Sequence, residues 1–125
     1  MIVKTSKGLK FGGYTEGAFG PLTSSSGIVH FDETNVAFGF SLDLFKIYNY
    51  DRKQSKYSSI YSHSSNFSFN SLFHINFCPN NKFEGFVKYT VSYNHYGRFE
   101  KDYEINNGWN NFTVQELEVF QIIFY

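Results

Sequence analysis

The stretch that decides the fold is the last one in the sequence, residues 110–125, which reads NNFTVQELEVFQIIFY. Thr113 is a favourable N-cap residue, and Glu116 stands three residues later, which is the spacing of a capping box. This pair predicts one helical turn that begins at Thr113. The short helix would lie directly before a long apolar run.

The apolar run predicts a strand. The sequence LEVFQIIF, residues 117–124, is rich in β-branched and aromatic residues, which favour strands. A strand this apolar has to be covered on both faces. We therefore expect an inner strand of a sheet, in which Val119 and Ile122 face opposite ways and Phe120 shares the face of Ile122.

Working outward from this end, three further segments have strand patterns. IVKTS (2–6) and LKFGGY (9–14) flank Lys7-Gly8, and a two-residue connection that contains glycine is typical of a hairpin. In AFGFSLDLF (37–45) large apolar residues alternate with small or polar ones, which predicts a half-buried strand. The alternating apolar residues are Phe38, Phe40, Leu42 and Leu44.

Two more segments alternate in the same way. SLFHINFC (71–78) places Phe73, Ile75 and Phe77 on one face, and FVKYTVSY (86–93) is apolar at every second position from Val87. The chain has no long helical pattern, and its 125 residues favour one domain. The sequence therefore predicts a mainly β protein, a two-sheet antiparallel β-sandwich with one or two short helices.

Composition narrows the classes of function. Lys plus Arg and Asp plus Glu number 11 each, so the chain has no long-range positive field, and we expect no nucleic-acid partner. No window approaches the roughly 18 apolar residues that a spanning helix needs, so we expect no membrane insertion. With a single cysteine, Cys78, and no signal-peptide pattern at the start, we expect a cytoplasmic location.

Motifs for phosphate or metal binding are weak. Gly12-Gly13 resembles part of a phosphate-binding loop, but the G-K-[ST] ending and the following helix are missing. A set of polar residues could bind a metal, although their spacing matches no zinc pattern. These residues are His30, Asp32 and Glu33, with His63 or His74. We expect neither a metal nor a cofactor.

Candidate catalytic pairs are equally weak. Cys78 and His74 are four residues apart, which on a strand separates their backbones by about 13 Å. Glu116 and Glu118 could form a carboxylate pair, but Glu116 is better explained by its capping role. The residues alone identify no function.

Three segments, in this order, resemble the TLDc domain, the module of the oxidation-resistance proteins and their nuclear-receptor-coactivator relatives. They are LKFGGYTEGAF (9–19), AFGFSL (37–42) and FTVQELEVFQI (112–122), of which the last is the most specific. The residues that match the family motifs are Gly12, Gly13, Tyr14, Phe112, Thr113, Glu116, Glu118, Val119 and Phe120.

The chain departs from the family pattern in three places. The family's domain opens with a helix and a strand ahead of the segment that matches IVKTS, so we expect the single domain over residues 1–125 to be incomplete at its N-terminus. The family has a glycine-rich run where this chain has NSL (70–72), and His74 stands where an acidic residue is common. The aromatic residue after the first glycine pair, usually Trp, is matched by Phe19.

The resemblance implies a β-sandwich with short flanking helices, in agreement with the strand pattern. It also implies a non-enzymatic, cytosolic interaction domain that acts in protection against oxidative stress, in regulation of the vacuolar-type proton pump, or in both. A protein partner, such as a pump subunit, is therefore expected.

Two other functions compete with this one. The first is an enzyme of unknown chemistry, with hydrolysis as one candidate and with Glu116, Glu118 or His74 in a cleft, which needs convergent titratable groups in a pocket. The second is a carbohydrate-binding β-sandwich that uses surface Tyr and Asn side chains, which needs exposed aromatic rings beside polar groups.

Overall fold

The computed structural model describes residues 1–16, 28–32, 36–50, 58–63, 66–69, 72–77, 83–88, 100–123 and 125. These residues form ten β-strands and one short 3₁₀ helix, here called η1. In chain order the elements are β1 (Ile2–Thr5), β2 (Lys10–Tyr14), β3 (Ile28–Asp32), β4 (Phe38–Ser41), β5 (Lys46–Asn49), β6 (Ser58–His63), β7 (Asn66–Phe69), β8 (Phe73–Phe77), β9 (Phe83–Val87), η1 (Glu104–Asn106) and β10 (Asn111–Glu118).

The ten strands form one hydrogen-bonded sheet, in the order β3-β6-β7-β8-β9-β10-β1-β2-β4-β5. Every neighbouring pair is antiparallel. The predicted mainly β, antiparallel fold is therefore confirmed. The described strands belong to one sheet, where the sequence predicted two.

The sheet curls so that distant strands face each other. In the sheet order β2 and β8 are four positions apart, which in a flat sheet would separate them by roughly 19 Å. The rings of Phe11 on β2 and Phe73 on β8 are nevertheless only 5.4 Å apart, in an edge-to-face contact. The core fills the space inside this curl.

The core is largely aromatic. Its members are Val3, Phe11, Tyr48, Tyr50, Phe67, Phe69, Leu72, Phe73, Ile75, Val87, Ile105, Phe112 and Val114. Two glycines allow the facing parts of the curled sheet, here called its two layers, to approach this closely. A Cβ on Gly13 would lie 2.5 Å from the ring of Phe69, and one on Gly39 would overlap Leu72. Any larger residue at these two positions would push the layers apart.

Two predicted strands are confirmed with changed bounds. The first hairpin joins β1 to β2, but its connection is residues 6–9 and not two residues. The strand predicted over 37–45 ends at Ser41, so Leu42 and Leu44 lie in a turn and are exposed. Gly39 and Ser41 face the core in this strand, because Leu72 occupies the space above Gly39.

The predicted strand at 71–78 agrees with β8. Phe73 and Ile75 are buried, while His74 and Asn76 on the opposite face are half-buried. Most of the segment predicted from Val87 onward lies outside the described residues, and β9 ends at Val87.

The predicted helical turn at Thr113 is wrong. Residues 111–118 are one continuous strand, β10, which pairs with β9 on one side and β1 on the other. Thr113 lies opposite Glu84, and Val114 lies opposite both Phe83 and Thr5. Pairing along both edges uses the backbone groups that a helical turn would need, so tertiary context overrides the local capping signal.

A β-bulge in β10 keeps its apolar side chains on the core side of the sheet. Lys4 lies opposite Glu116 and Thr5 lies opposite Val114, which leaves Gln115 as an extra residue. Because of this insertion, Val114 and Leu117 can both face inward although they are three residues apart.

The predicted buried strand at the end of the chain is also wrong beyond Glu118. The inner strand near this end of the chain is β10, over Asn111–Glu118 and not over 117–124, and its last pair joins Glu118 to Ile2, the first residue of β1. Val119, Phe120, Ile122 and Ile123 have no strand partner among the described residues, adopt no regular structure and are 55 to 61% exposed. We call residues 119–123 the apolar tail.

Helices contribute little to the described part of the fold. None of the helices found there has the length and the apolar character needed to cross a membrane.

Candidate functional site

An open cleft of about 380 Å³ lies between the first hairpin and the outer face of strands β8, β9 and β10. We call it the hairpin cleft. Its lining residues come from six elements or connections and are mostly polar. They are Thr5, Ser6, Lys7, Asn76, Glu84, Gly85, Phe86, Asn106, Asn111, Phe112 and Thr113.

The strand register places the polar lining on one face. Asn76 lies opposite Glu84, and Glu84 lies opposite Thr113, so these three side chains form a row across β8, β9 and β10. Phe86 and Asn111 form part of the next row. Because side chains alternate along a strand, the intervening residues of β10 point into the core instead.

The hairpin is fastened to the sheet at the edge of the cleft. The backbone N–H of Ser6 donates a 2.8 Å hydrogen bond to the carbonyl of Thr113. The ammonium group of Lys7 lies 3.0 Å from the ring centroid of Trp109 in a cation–π contact. Trp109 itself remains 53% exposed, so an aromatic surface borders the cleft.

Asn106, at the end of η1, has an unusual position in the cleft wall. Its side chain is almost completely buried, with 1% exposure, and its Nδ2 donates a 2.9 Å hydrogen bond to the carbonyl of Trp109. Its Oδ1 is also buried and has no hydrogen-bond partner in the part of the chain that the structure describes. Buried acceptors of this kind are rare and call for an explanation.

His74 lies beside the cleft without lining it. Its ring stacks on Phe86 at 4.9 Å, and its Nε2 lies 3.0 Å from Oδ1 of Asn76. An amide oxygen only accepts, so Nε2 carries the proton and Nδ1 is an unprotonated nitrogen. Burial lowers the pKa of His74, and Lys88 lowers it further, against the opposing effect of the Asn76 hydrogen bond. The imidazole is therefore neutral at pH 7.

The residues of the C-terminal motif lie in three places. Phe112 and Thr113 belong to the hairpin cleft, where Phe112 also contacts Phe11 in the core. Glu116 forms a 2.8 Å salt bridge with Lys4 on the surface, and Glu118 is exposed at the end of β10. The predicted cap at Glu116 is thus replaced by an ion pair. Val119 and Phe120 belong to the apolar tail.

The glycine motif is part of the sheet. Gly12, Gly13 and Tyr14 all lie within β2, so Gly12-Gly13 forms no phosphate-binding loop. A Cβ on Gly12 would meet the ring of Phe40, and Tyr14 stacks on Phe38 at 5.2 Å. The motif is therefore explained by close packing on both faces of the sheet.

The candidate metal ligands form no metal-binding group in the described part of the chain. His30 and Asp32 lie on β3 and His63 lies on β6, while Glu33 and Cys78 fall outside the described residues. Within the ranges that the structure describes, no three His, Cys, Asp or Glu side chains are close enough to hold a metal ion.

Glu104 is a buried carboxylate that no sequence pattern indicated. Its Oε1 accepts hydrogen bonds from Lys46 Nζ at 2.6 Å and from the Tyr48 hydroxyl at 2.9 Å. Its Oε2 accepts from the backbone N–H groups of Glu100 at 2.7 Å and Lys101 at 3.1 Å. We call this set the Glu104 cluster; it fixes the segment before β10 against β5.

The electrostatics of the Glu104 cluster favour the charged form of the carboxyl. Burial alone would raise the pKa of Glu104, but the hydrogen bonds from Lys46, the backbone and Tyr48 outweigh it and lower that pKa. Burial and the bond to Glu104 raise the pKa of Tyr48. The bond to Glu104 likewise raises the pKa of Lys46. The partners are 56 and 58 residues away in sequence, so no local pattern could have revealed the cluster.

Among the described residues, exposed apolar side chains are concentrated in two regions. One is the apolar tail, and the other is the turn between β4 and β5, with Leu42, Leu44 and Phe45. Phe45 is 94% exposed and has a positive φ of 52°, a backbone conformation that costs free energy for a bulky residue.

Comparison of the chain with protein-family models, with curated proteins and with solved structures finds no match in any of the three.

Proposed function

We propose that this chain is a TLDc-type interaction domain without enzymatic activity. In this proposal it acts in the cytosol, in protection against oxidative stress and in regulation of the vacuolar-type proton pump, and its partner is a pump subunit. The motif residues around Gly12-Gly13 and Phe112-Thr113 support the family assignment, because both sets lie where the sheet packs closely. We further propose that the curled sheet corresponds to the two layers of the family's β-sandwich.

The observation that carries the proposal is the apolar tail. Large apolar side chains at four of five consecutive positions are more than half exposed, directly after an inner strand. Exposed apolar groups that lie together mark interaction surfaces more often than isolated ones do. The tail is also rich in β-branched and aromatic residues, so it suits a partner that offers a sheet edge or an apolar groove.

A capture experiment with purified pump subunits tests the proposal. The double variant Phe120→Ser/Ile122→Ser removes half of the large apolar groups from the tail. The matched control, Leu42→Ser/Ile47→Ser, removes two exposed apolar groups near the β4–β5 turn. We expect the tail variant to lose capture of a pump subunit while its melting curve stays unchanged, and the control to keep capture.

Two results would contradict the proposal. One is the absence of binding between the wild-type chain and any pump subunit. The other is equal capture by the wild type and the tail variant, which would mean that the apolar tail takes no part in binding. Survival of peroxide-stressed cells that express the same variants provides a second measurement and should follow the capture results.

A further inference from the structure

The hairpin cleft has the chemistry of a small-molecule site, separate from the apolar tail. Its volume of about 380 Å³ lies within the range of roughly 300–1,000 Å³ that is usual for ligand pockets. It is built on a rigid part of the fold, since β10 is paired on both edges and the hairpin is bonded to it through Ser6.

The lining groups select an uncharged ligand. One cation, Lys7, and one anion, Glu84, balance each other, so the cleft offers no net charge to a phosphate or an ammonium group. The remaining polar groups are the amides of Asn76, Asn106 and Asn111 and three hydroxyl groups. Amides and hydroxyls each donate and accept hydrogen bonds, which matches a ligand whose own groups do both.

The aromatic groups favour a hydroxyl-rich ring over a flat heterocycle. A flat base binds by stacking on an open aromatic face. One face of Phe86 is covered by His74, and Lys7 lies over the ring of Trp109. Hydrogen bonding, supported by contact with the exposed part of Trp109, is therefore the mode of recognition that the cleft provides.

The unpartnered Oδ1 of Asn106 is the independent sign of a ligand. An acceptor that is buried without a hydrogen bond destabilises the ligand-free protein. Asn106 cannot easily turn away, because its Nδ2 is held by the carbonyl of Trp109. A hydroxyl group that entered the cleft and donated to this oxygen would supply the missing bond.

We propose that the hairpin cleft binds a neutral mono- or disaccharide, with Asn106 Oδ1 accepting a hydrogen bond from a sugar hydroxyl and with Asn76, Asn111 and Thr113 contacting neighbouring hydroxyls. This function is independent of the interaction proposed for the apolar tail.

The test uses the whole chain and a panel of probes. Neutral mono- and disaccharides, among them glucose, galactose, mannose, N-acetylglucosamine, maltose and cellobiose, are titrated while backbone amide shifts are followed by NMR. Inorganic phosphate and adenosine are titrated in parallel. We expect at least one sugar to shift the amides of the cleft, and neither phosphate nor adenosine to do so.

Variants then locate the site. Asn111→Ala removes an exposed amide from the cleft, and Asn49→Ala removes an exposed amide from β5 as the matched control. We expect affinity for the sugar to fall about three- to tenfold in Asn111→Ala, the effect of one hydrogen bond, and to stay unchanged in Asn49→Ala.

Asn106→Ala should weaken binding by a similar factor. If that buried substitution unfolds the chain, Asn111→Ala alone decides the outcome. The proposal is overturned if no sugar shifts the cleft, if phosphate or adenosine binds there instead, or if Asn111→Ala binds the sugar as tightly as the wild type does.

Discussion

The two segments on either side of β10 contrast in composition and in burial. Residues 100–110, which precede the strand, are polar, yet Glu104, Ile105 and Asn106 are all buried. The apolar tail, which follows the strand, is exposed. The difference lies in the partners that the sheet supplies. The first segment lies against β2 and β4, and Lys46 and Tyr48 of β5 donate hydrogen bonds to Glu104. The pairing of β10 with β1, in contrast, ends at Glu118 and Ile2, before the tail begins.

The largest expected effect tests whether the preceding segment is part of the core. Ile105 is 1% exposed, and its side chain packs near Gly39. Ile105→Ala should lower the free energy of unfolding by about 2–5 kcal/mol, through lost burial and a residual cavity. Urea denaturation measures this change. A loss well below 1 kcal/mol would show that the segment is only loosely attached.

The next prediction concerns the Glu104 cluster. Glu104→Gln keeps the size of the side chain but removes the charge that Lys46 and two backbone N–H groups recognise. We expect a loss of about 1–3 kcal/mol at pH 7, the usual contribution of hydrogen bonds to a charged group. Urea denaturation of both proteins at this pH gives the value. Glu100→Gln, which alters a more exposed carboxylate near Lys46, is the matched control and should change stability far less.

The stability of Glu104→Gln should also depend on pH differently from that of the wild type. The pKa of Glu104 is lowered in the folded state, so its stabilisation is fully present above the unfolded pKa of about 4.5 and is lost as pH falls through the folded value. The wild type should therefore lose stability below about pH 4.5 more steeply than Glu104→Gln does. If the stability of both proteins fell equally steeply below pH 4.5, the result would contradict the lowered pKa of Glu104.

A smaller effect is expected at Glu116, on β10 itself. As a surface ion pair with Lys4, it should contribute about 0.2–1 kcal/mol, and salt should screen this contribution. Glu116→Gln should thus be slightly less stable than the wild type at low salt and equal to it at 1 M salt, as measured by thermal melting. A loss that persists at high salt would indicate a role other than the ion pair.

The smallest effect is expected in the apolar tail. Phe120 is 58% exposed, so Phe120→Ala should change the free energy of unfolding by less than about 0.5 kcal/mol, although the residue is among the most apolar in the chain. Phe112→Ala, in the buried part of β10, is the comparison and should cost about 3–5 kcal/mol. Similar losses in the two variants would mean that the tail is buried and would remove the contrast between the segments.

The sequence predicts what depends on neighbours in the chain. Alternation over β8 identified its buried face, and the pairing of the first two strands as a hairpin was also predicted correctly. Alternation did not reveal that Gly39 rather than Phe38 faces the core, because that choice depends on Leu72 on a different strand. The capping box at Thr113 and Glu116 failed for the same reason, since pairing with β1 and β9 outweighs a local signal.

The candidate site was less predictable than the fold. Phe112 and Thr113 were selected by their motif, and both line the hairpin cleft. No sequence pattern marked Asn106 or Lys7 as a site residue, because η1 and the first hairpin bring these residues to the cleft only when the chain folds. For the apolar tail, hydrophobicity predicted burial. A single sequence does not show whether the folded sheet supplies a neighbouring strand that would cover these residues.

The sheet order has a consequence for synthesis on the ribosome. β10 is the only described strand that joins one run of neighbouring strands, β1, β2, β4 and β5, to the other run, β3, β6, β7, β8 and β9. The Lys4–Glu116 contact across this junction spans 112 residues. Until residue 118 has left the exit tunnel, the two runs are separate sheets whose edges at β1 and β9 are open to aggregation. We therefore expect slow closure that benefits from a chaperone, with β10 as the last strand added.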